Sequence, residues 1–140
     1  MTEIQEEIIE EFGIFDDWLD KYNYLIDLSK SLPIIDAKFK TPEFLIEGCQ
    51  SSVWLKTEMV DGKVVFTADS DAIITKGIIA LLVRVMSHRQ PEEILDTDLY
   101  FIDRIGLKEN LSPTRSNGLV SMIRQMKLYA LAYQAKSKQK

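Results

Sequence analysis

Val53-Trp54-Leu55-Lys56-Thr57-Glu58-Met59-Val60-Asp61-Gly62-Lys63-Val64-Val65-Phe66-Thr67-Ala68 is the stretch whose pattern sets the architecture. Val53, Leu55, Thr57 and Met59 alternate with Trp54, Lys56, Glu58 and Val60, so an extended strand here has two distinguishable faces. Asp61-Gly62 follows, and then Lys63 to Ala68 in residues of extended type. An Asp-Gly pair between two such runs predicts a hairpin, because its tight turn needs positive φ at both central residues. A short strand over Phe44 to Ile46 is expected to precede it, bringing the sheet to about three strands.

Working outward, the period changes to that of helices. Ile4, Ile8, Ile9 and Phe12 predict a short, frayed helix within residues 1–13. Phe15, Trp18, Leu19, Tyr22, Ile26 and Ser29 mark the apolar stripe of a second helix, with Asp16 and Asp17 in its first turn and its end before Pro33. Residues 34–42 read as a connecting loop. After the hairpin, Asp69 and Ser70 are expected to cap a helix over Asp71 to Met86. Ile74, Ile78, Leu81 and Val85 form its stripe, and the helix is apolar enough to be central and buried. Pro91 opens a short helix through Leu95, and Tyr100, Phe101 and Ile105 make an apolar patch in an irregular stretch. Ser112-Pro113 starts the last helix as N-cap and first residue, with Leu119, Met122, Ile123, Met126, Ala130 and Tyr133 facing inward. The order predicts an α+β fold: a small antiparallel sheet with helices packed on one face.

Composition bounds the function. The 140 residues fit one domain, 1–140, ending in a basic tail over 136–140. No apolar run is long enough to span a bilayer, and Met1 to Glu11 is acidic where an export signal would be basic, so neither membrane nor export is expected. A net charge of −5 argues against nucleic-acid binding. The single cysteine excludes an internal disulfide and a thiolate-rich zinc site, and it points to the reducing cytoplasm. No metal site is expected: Asp69-Ser70-Asp71 reads as a helix cap, and there is no glycine-rich phosphate loop.

The cysteine lies in Ile46-Glu47-Gly48-Cys49-Gln50-Ser51-Ser52-Val53-Trp54, in the loop that enters the sheet. Gly48 removes bulk beside the sulfur and permits positive φ, while Gln50, Ser51 and Ser52 offer hydrogen-bond donors. A reactive thiol needs such a setting, partly accessible and with donors or positive potential to stabilise a thiolate. A buried structural cysteine at a strand end fits the same residues, and local composition leaves both readings open. A cysteine hydrolase would pair Cys49 with His88, the only histidine, but the third member of a triad is missing.

Three stretches together carry a resemblance. They are Ile46-x-Gly48-Cys49-Gln50-Ser51-x-Val53-Trp54; Asp69-Ser70-Asp71-Ala72 followed by Lys76-Gly77-Ile78-x-Ala80; and Leu111-x-Pro113-x-Arg115-Ser116-x-Gly118-Leu119 leading into Met122-Ile123-Arg124. In this order and spacing the chain resembles SufE and its relative CsdE, the sulfur-acceptor proteins of iron–sulfur cluster biogenesis, from the Trp18 region to about Ala130. The resemblance implies a fold like that of the cluster scaffold IscU. It implies that Cys49 takes sulfane sulfur, as a transient persulfide, from a pyridoxal-phosphate cysteine desulfurase of the SufS or CsdA type. Delivery would be to a scaffold complex like SufBCD. The chain itself would hold no cofactor; the pyridoxal phosphate belongs to the partner. It would act as sulfur carrier and desulfurase activator rather than as a stand-alone enzyme.

In such proteins the cysteine loop tucks its sulfur into an apolar recess and swings out on docking. Asp71 resembles the position that helps hold that loop, and Arg115 one near the partner surface; Gly48, Gln50 and Ser51 belong to the loop itself. Local roles compete for both charged residues, Asp71 at its helix N-terminus and Arg115 as a loop anchor. Two other functions stand beside the carrier. A cluster scaffold on the same fold is discouraged because a cluster is usually held by four ligands and this chain has one cysteine. A non-catalytic adaptor that regulates a desulfurase would need no sulfur chemistry at all.

Overall fold

The computed structural model describes residues 1–138, the last of them without its side chain. Strands β1 (Val53–Val60) and β2 (Lys63–Ser70) form the hairpin, antiparallel and in register from Val53 opposite Ser70 to Val60 opposite Lys63. Asp61 and Gly62 turn the chain with φ of 53° and 79°, the pair of positive values that the Asp-Gly step supplies at least cost. One hairpin face is sealed: Val53 and Leu55 of β1 and Val64, Phe66 and Ala68 of β2 are all fully buried. The opposite face, with Trp54, Lys56, Val65 and Thr67, stays partly open.

Helices α1 (Thr2–Gly13), α2 (Trp18–Ser29) and α3 (Ile73–Met86) precede and follow the hairpin. Then come α4 (Pro91–Asp96), the single turn α5 (Phe101–Arg104) and the long α6 (Pro113–Lys138). The fold is therefore α+β, as the residue pattern predicts. Helix α3 is central, with Gly77 to Val83, Val85 and Met86 buried, and it contacts β2, α1, α2 and α6. At Gly77 a side chain would run into the carbonyl of Leu25, so α2 and α3 approach backbone to backbone. Ser112 caps α6 by accepting the Arg115 N–H at 3.3 Å, and Leu119, Met122, Met126 and Ala130 are its buried stripe.

Three details differ from the sequence pattern. The sheet among the described residues has two strands rather than about three. Leu45 makes a single bridge to Trp54, and Ile46 N–H donates to Val53 O at 2.9 Å. Pro42–Phe44 just before them coils into a 3₁₀ turn and Gly48 just after turns at φ 92°, which leaves no room for a longer strand. The α2 stripe is rotated: Leu25 and Ser29 are buried, while Leu19 is 71% exposed. Helix α3 starts at Ile73 with Ala72 as N-cap and no side-chain cap, because Asp69 and Ser70 still belong to β2. There the Asp69 carboxylate pairs instead with Lys40 and with Lys76 at 3.2 Å.

At the other end, α1 is seated by polar contacts as well as by Ile8 and Phe12. Buried Gln5 donates to Asp98 O and accepts the Phe101 N–H. Arg84 of α3 grips Glu11 with two hydrogen bonds of 2.6 and 2.8 Å and reaches Glu7. Glu7 and Glu11 thus tie α1 to the central helix. Of the basic tail, Lys136 is exposed, and the side chain of Lys138 and residues 139–140 lie outside the described residues. No described helix is long and apolar enough to cross a membrane.

Candidate functional site

Residues 47–52 form the loop between the Leu45–Trp54 bridge and β1. Gly48 takes φ 92° there, a conformation that L side chains rarely adopt. A side chain at Gly48 would also collide with the hydroxyl of Ser121 on α6, so this glycine brings the loop close against that helix. The next residue, Cys49, is half-buried and points its sulfur at α6, with Sγ 3.6 Å from the carbonyl oxygen of Gly118.

The far end of the loop is clasped to the start of α3. Asp71 Oδ1 accepts the Ser52 N–H at 3.1 Å, and the Asp71 N–H donates to Ser52 O at 3.2 Å. Ser70 Oγ donates to the same Ser52 carbonyl at 2.9 Å and accepts the Ala72 N–H at 3.2 Å. Asp71 therefore bonds the cysteine loop rather than its own helix end.

Cys49 opens into a cavity of about 350 Å³ between the loop, α3 and α6. Thr75, Ile78, Gly118 and Met122 are its buried lining; Gln50, Ser51, Ser112, Thr114 and Arg115 are the more accessible one. At depth the recess thus sets the Thr75 side chain beside apolar Ile78 and Met122, and its mouth is polar. Of the residues singled out from the sequence, Gly48, Cys49, Gln50 and Ser51 are together by chain continuity. Arg115 joins them at the mouth through α6, and Asp71 sits behind the loop. His88 lies at the other end of α3, exposed and at φ 61°, and lines a different depression with Leu28, Pro33 and Arg84.

The electrostatics of the resting sulfur are those of a thiol. Burial pushes the Cys49 thiol above its ordinary value, since a thiolate would lose hydration. Its polar neighbour at 3.6 Å is a carbonyl, which accepts from S–H and repels S⁻. The expected thiolate-stabilising donors are placed otherwise: Ser52 N–H is committed to Asp71, and Gln50 and Ser51 line the cavity mouth. Sequence reasoning did not single out Thr75, Ile78 or Met122 as site residues, because nothing local marks the part of a buried helix that faces a distant loop. Gly118 carried a signal, being an isolated glycine inside a helical pattern. No group of three or more His, Cys, Asp or Glu among the described residues is placed to hold a metal ion.

Comparison with known proteins places the chain in a family and a fold. Residues 6–130 match the family model described as SufE, Fe-S metabolism associated domain. An uncharacterized SufE-like protein of Rhizobium etli is 40% identical over 127 residues, covering 87% of this chain and 86% of its own. SufE-like protein 1, chloroplastic/mitochondrial, of Arabidopsis thaliana is 38% identical over 135 residues, which is 96% of this chain but 36% of that longer protein. The solution structure of a hypothetical protein from Thermus thermophilus shares the fold with a TM-score of 0.77 at 19% identity, covering 94% of this chain and 96% of that one. With the family model spanning the cysteine loop, the hairpin and both helices that enclose the sulfur, the chain belongs to the SufE family.

Proposed function

We propose that the protein is a sulfur acceptor and carrier that takes sulfane sulfur onto Cys49 from a pyridoxal-phosphate cysteine desulfurase and passes it to iron–sulfur cluster assembly. The observation that carries this reading is the placement of the only cysteine, half-buried on a clasped loop beside a cavity with room for more than the thiol. The single thiol suits the chemistry, because a second cysteine nearby would expel the carried sulfur as sulfide. It also suits a reducing, cytoplasmic setting.

In the transfer, the Cys49 thiolate attacks the outer sulfur of the donor's cysteine persulfide. A sulfur–sulfur bond to Cys49 forms as the donor's breaks; the electron pair leaves on the donor sulfur, which takes up the proton Cys49 gave. Nothing is oxidised or reduced overall. A resting thiol held by a carbonyl is a poor nucleophile, so docking has to move the loop and deprotonate the sulfur. Release of Ser52 from Asp71 frees the loop, and Arg115 at the cavity mouth offers the positive charge that the resting site withholds. Between transfers the recess shields the sulfur from oxidation. A SufS- or CsdA-like desulfurase is the donor in this reading, and a SufBCD-like scaffold complex the recipient. Draining the donor's persulfide is also how the carrier stimulates its enzyme.

Incubation with a cysteine desulfurase and cysteine should add about one sulfur atom, on Cys49, as single-site exchange requires. Cys49→Ser should bind the desulfurase yet neither carry sulfur nor stimulate turnover. Stimulation by that variant would make the protein an adaptor instead, and an iron–sulfur spectrum after anaerobic reconstitution would make it a scaffold.

A further inference from the structure

Gly118 lies inside α6, where glycine is among the poorest helix formers, and its φ is not among the positive ones that only glycine adopts readily. A Cβ built there would meet one heavy atom of the described residues within 4 Å, apart from its chain neighbours and its own helix backbone: Cys49 Sγ, at 3.6 Å. Gly48 and Gly77 are different, since a side chain at either would drive into Ser121 or into the Leu25 backbone. Neither backbone conformation nor packing of the protein therefore asks for glycine at 118. The resting thiol does not ask for it either, because 3.6 Å is ordinary van der Waals contact. A persulfide does. Its outer sulfur stands about 2.05 Å beyond Sγ and needs its own contact shell.

We propose that Gly118 is the positioning residue of the sulfur-loaded state: its missing side chain, beside Thr75, Ile78 and Met122, leaves the space in which the outer sulfur of the Cys49 persulfide lodges. This deepens the carrier reading and rests on it. Loading makes the Cys49–sulfur bond and breaks the donor's sulfur–sulfur bond, with the donor leaving as its thiol. Loss to a stray thiol is the same exchange in reverse, and an outer sulfur lodged against Gly118 is out of reach of that attack.

The test uses the full chain and glutathione persulfide as donor, so that no partner docking enters. Wild type, Gly118→Ala and Asn117→Ala, an exposed neighbour on the same helix, are compared by intact mass, by the half-life of the extra sulfur against dithiothreitol, by iodoacetamide alkylation of the unloaded thiol, and by melting. Gly118→Ala should melt no lower than wild type and be alkylated within about twofold of it, yet lose its extra sulfur about tenfold faster, as expected for an exposed exchangeable sulfur. Asn117→Ala should match wild type throughout. An unchanged half-life in Gly118→Ala overturns the inference and leaves the carrier reading standing. Failure to fold overturns it too, because the glycine would then serve packing, and so does equally accelerated alkylation, which would mean a generally loosened loop. Wild type that takes up no sulfur on Cys49 from this donor or from a desulfurase removes the carrier reading itself.

Discussion

Asp71 and Ser52 bind each other twice, carboxylate to N–H at 3.1 Å and N–H to carbonyl at 3.2 Å, across the junction between the start of α3 and the end of the cysteine loop. The backbone half of this clasp survives substitution, while the carboxylate half does not. Asp71 itself is exposed, so water competes for the bond and its net worth is on the order of 1 kcal/mol.

Asp71→Ala should therefore loosen the loop without unfolding the protein. Alkylation of Cys49 by iodoacetamide should rise about fivefold, the factor that ~1 kcal/mol corresponds to, with little change in melting temperature. Unchanged alkylation would show that the loop is held by its backbone contacts alone.

The reactivity of the free protein should depend on pH as a buried thiol does. Burial raises the Cys49 value, so the thiolate fraction at neutral pH is below that of free cysteine, and the alkylation rate should climb with an inflection above ~8.5. Addition of the desulfurase should move that inflection down. A thiolate already formed at pH 7 in the free protein would contradict the resting state described here.

Arg115 is exposed at the cavity mouth, on the first turn of α6. Arg115→Glu should slow sulfur uptake from a desulfurase by about tenfold through lost charge complementarity, while stability stays within ~0.5 kcal/mol. Equal uptake by the variant would leave Arg115 with a local role only.

The anchoring of Glu11 on α1 by Arg84 of α3 and by Tyr24 of α2, whose hydroxyl donates to the Glu11 carboxylate, should appear in stability at both ends of the pH scale. The Arg84 hydrogen bond holds Glu11 below the usual carboxylate range, against the opposing effect of burial. Its stabilisation is therefore full above the unfolded value of ~4.3 and is lost as pH falls through the lower folded one. Burial, and then the Glu11 carboxylate, push the Tyr24 phenol up to about 12. Stability should accordingly fall as pH rises past ~10, where the unfolded tyrosine ionises first. Arg84→Met should cost ~1–2 kcal/mol at pH 7 in denaturant melts and flatten the acid limb.

Much of this architecture was legible in the chain because its causes are local. Asp61-Gly62 between alternating runs dictates a turn, and the turn dictates the register of β1 and β2. Ser112-Pro113 carries its own start signal for α6. The apolar density of 77–86 is enough to make α3 central. The misplaced details had competing local meanings: Asp69 reads as a cap until Lys40 and Lys76 arrive from elsewhere to pair with it. Leu19 and Leu25 are equally apolar, and only the direction from which α3 packs decides which is buried. Glu7 and Glu11 are only part of an acidic N-terminal segment until Arg84 meets them.

By itself the sequence determined that there is one thiol, that it sits between a flexible glycine and a hairpin, and that its surrounding motifs are those of the SufE family. Tertiary structure alone decided the state of that thiol. Gly118 is 69 residues away along the chain, yet its carbonyl is the sulfur's polar neighbour and its missing side chain borders the recess. The physical reason is range: turns, caps and periodicity act over a few residues, whereas burial and proximity depend on which elements the whole core brings together.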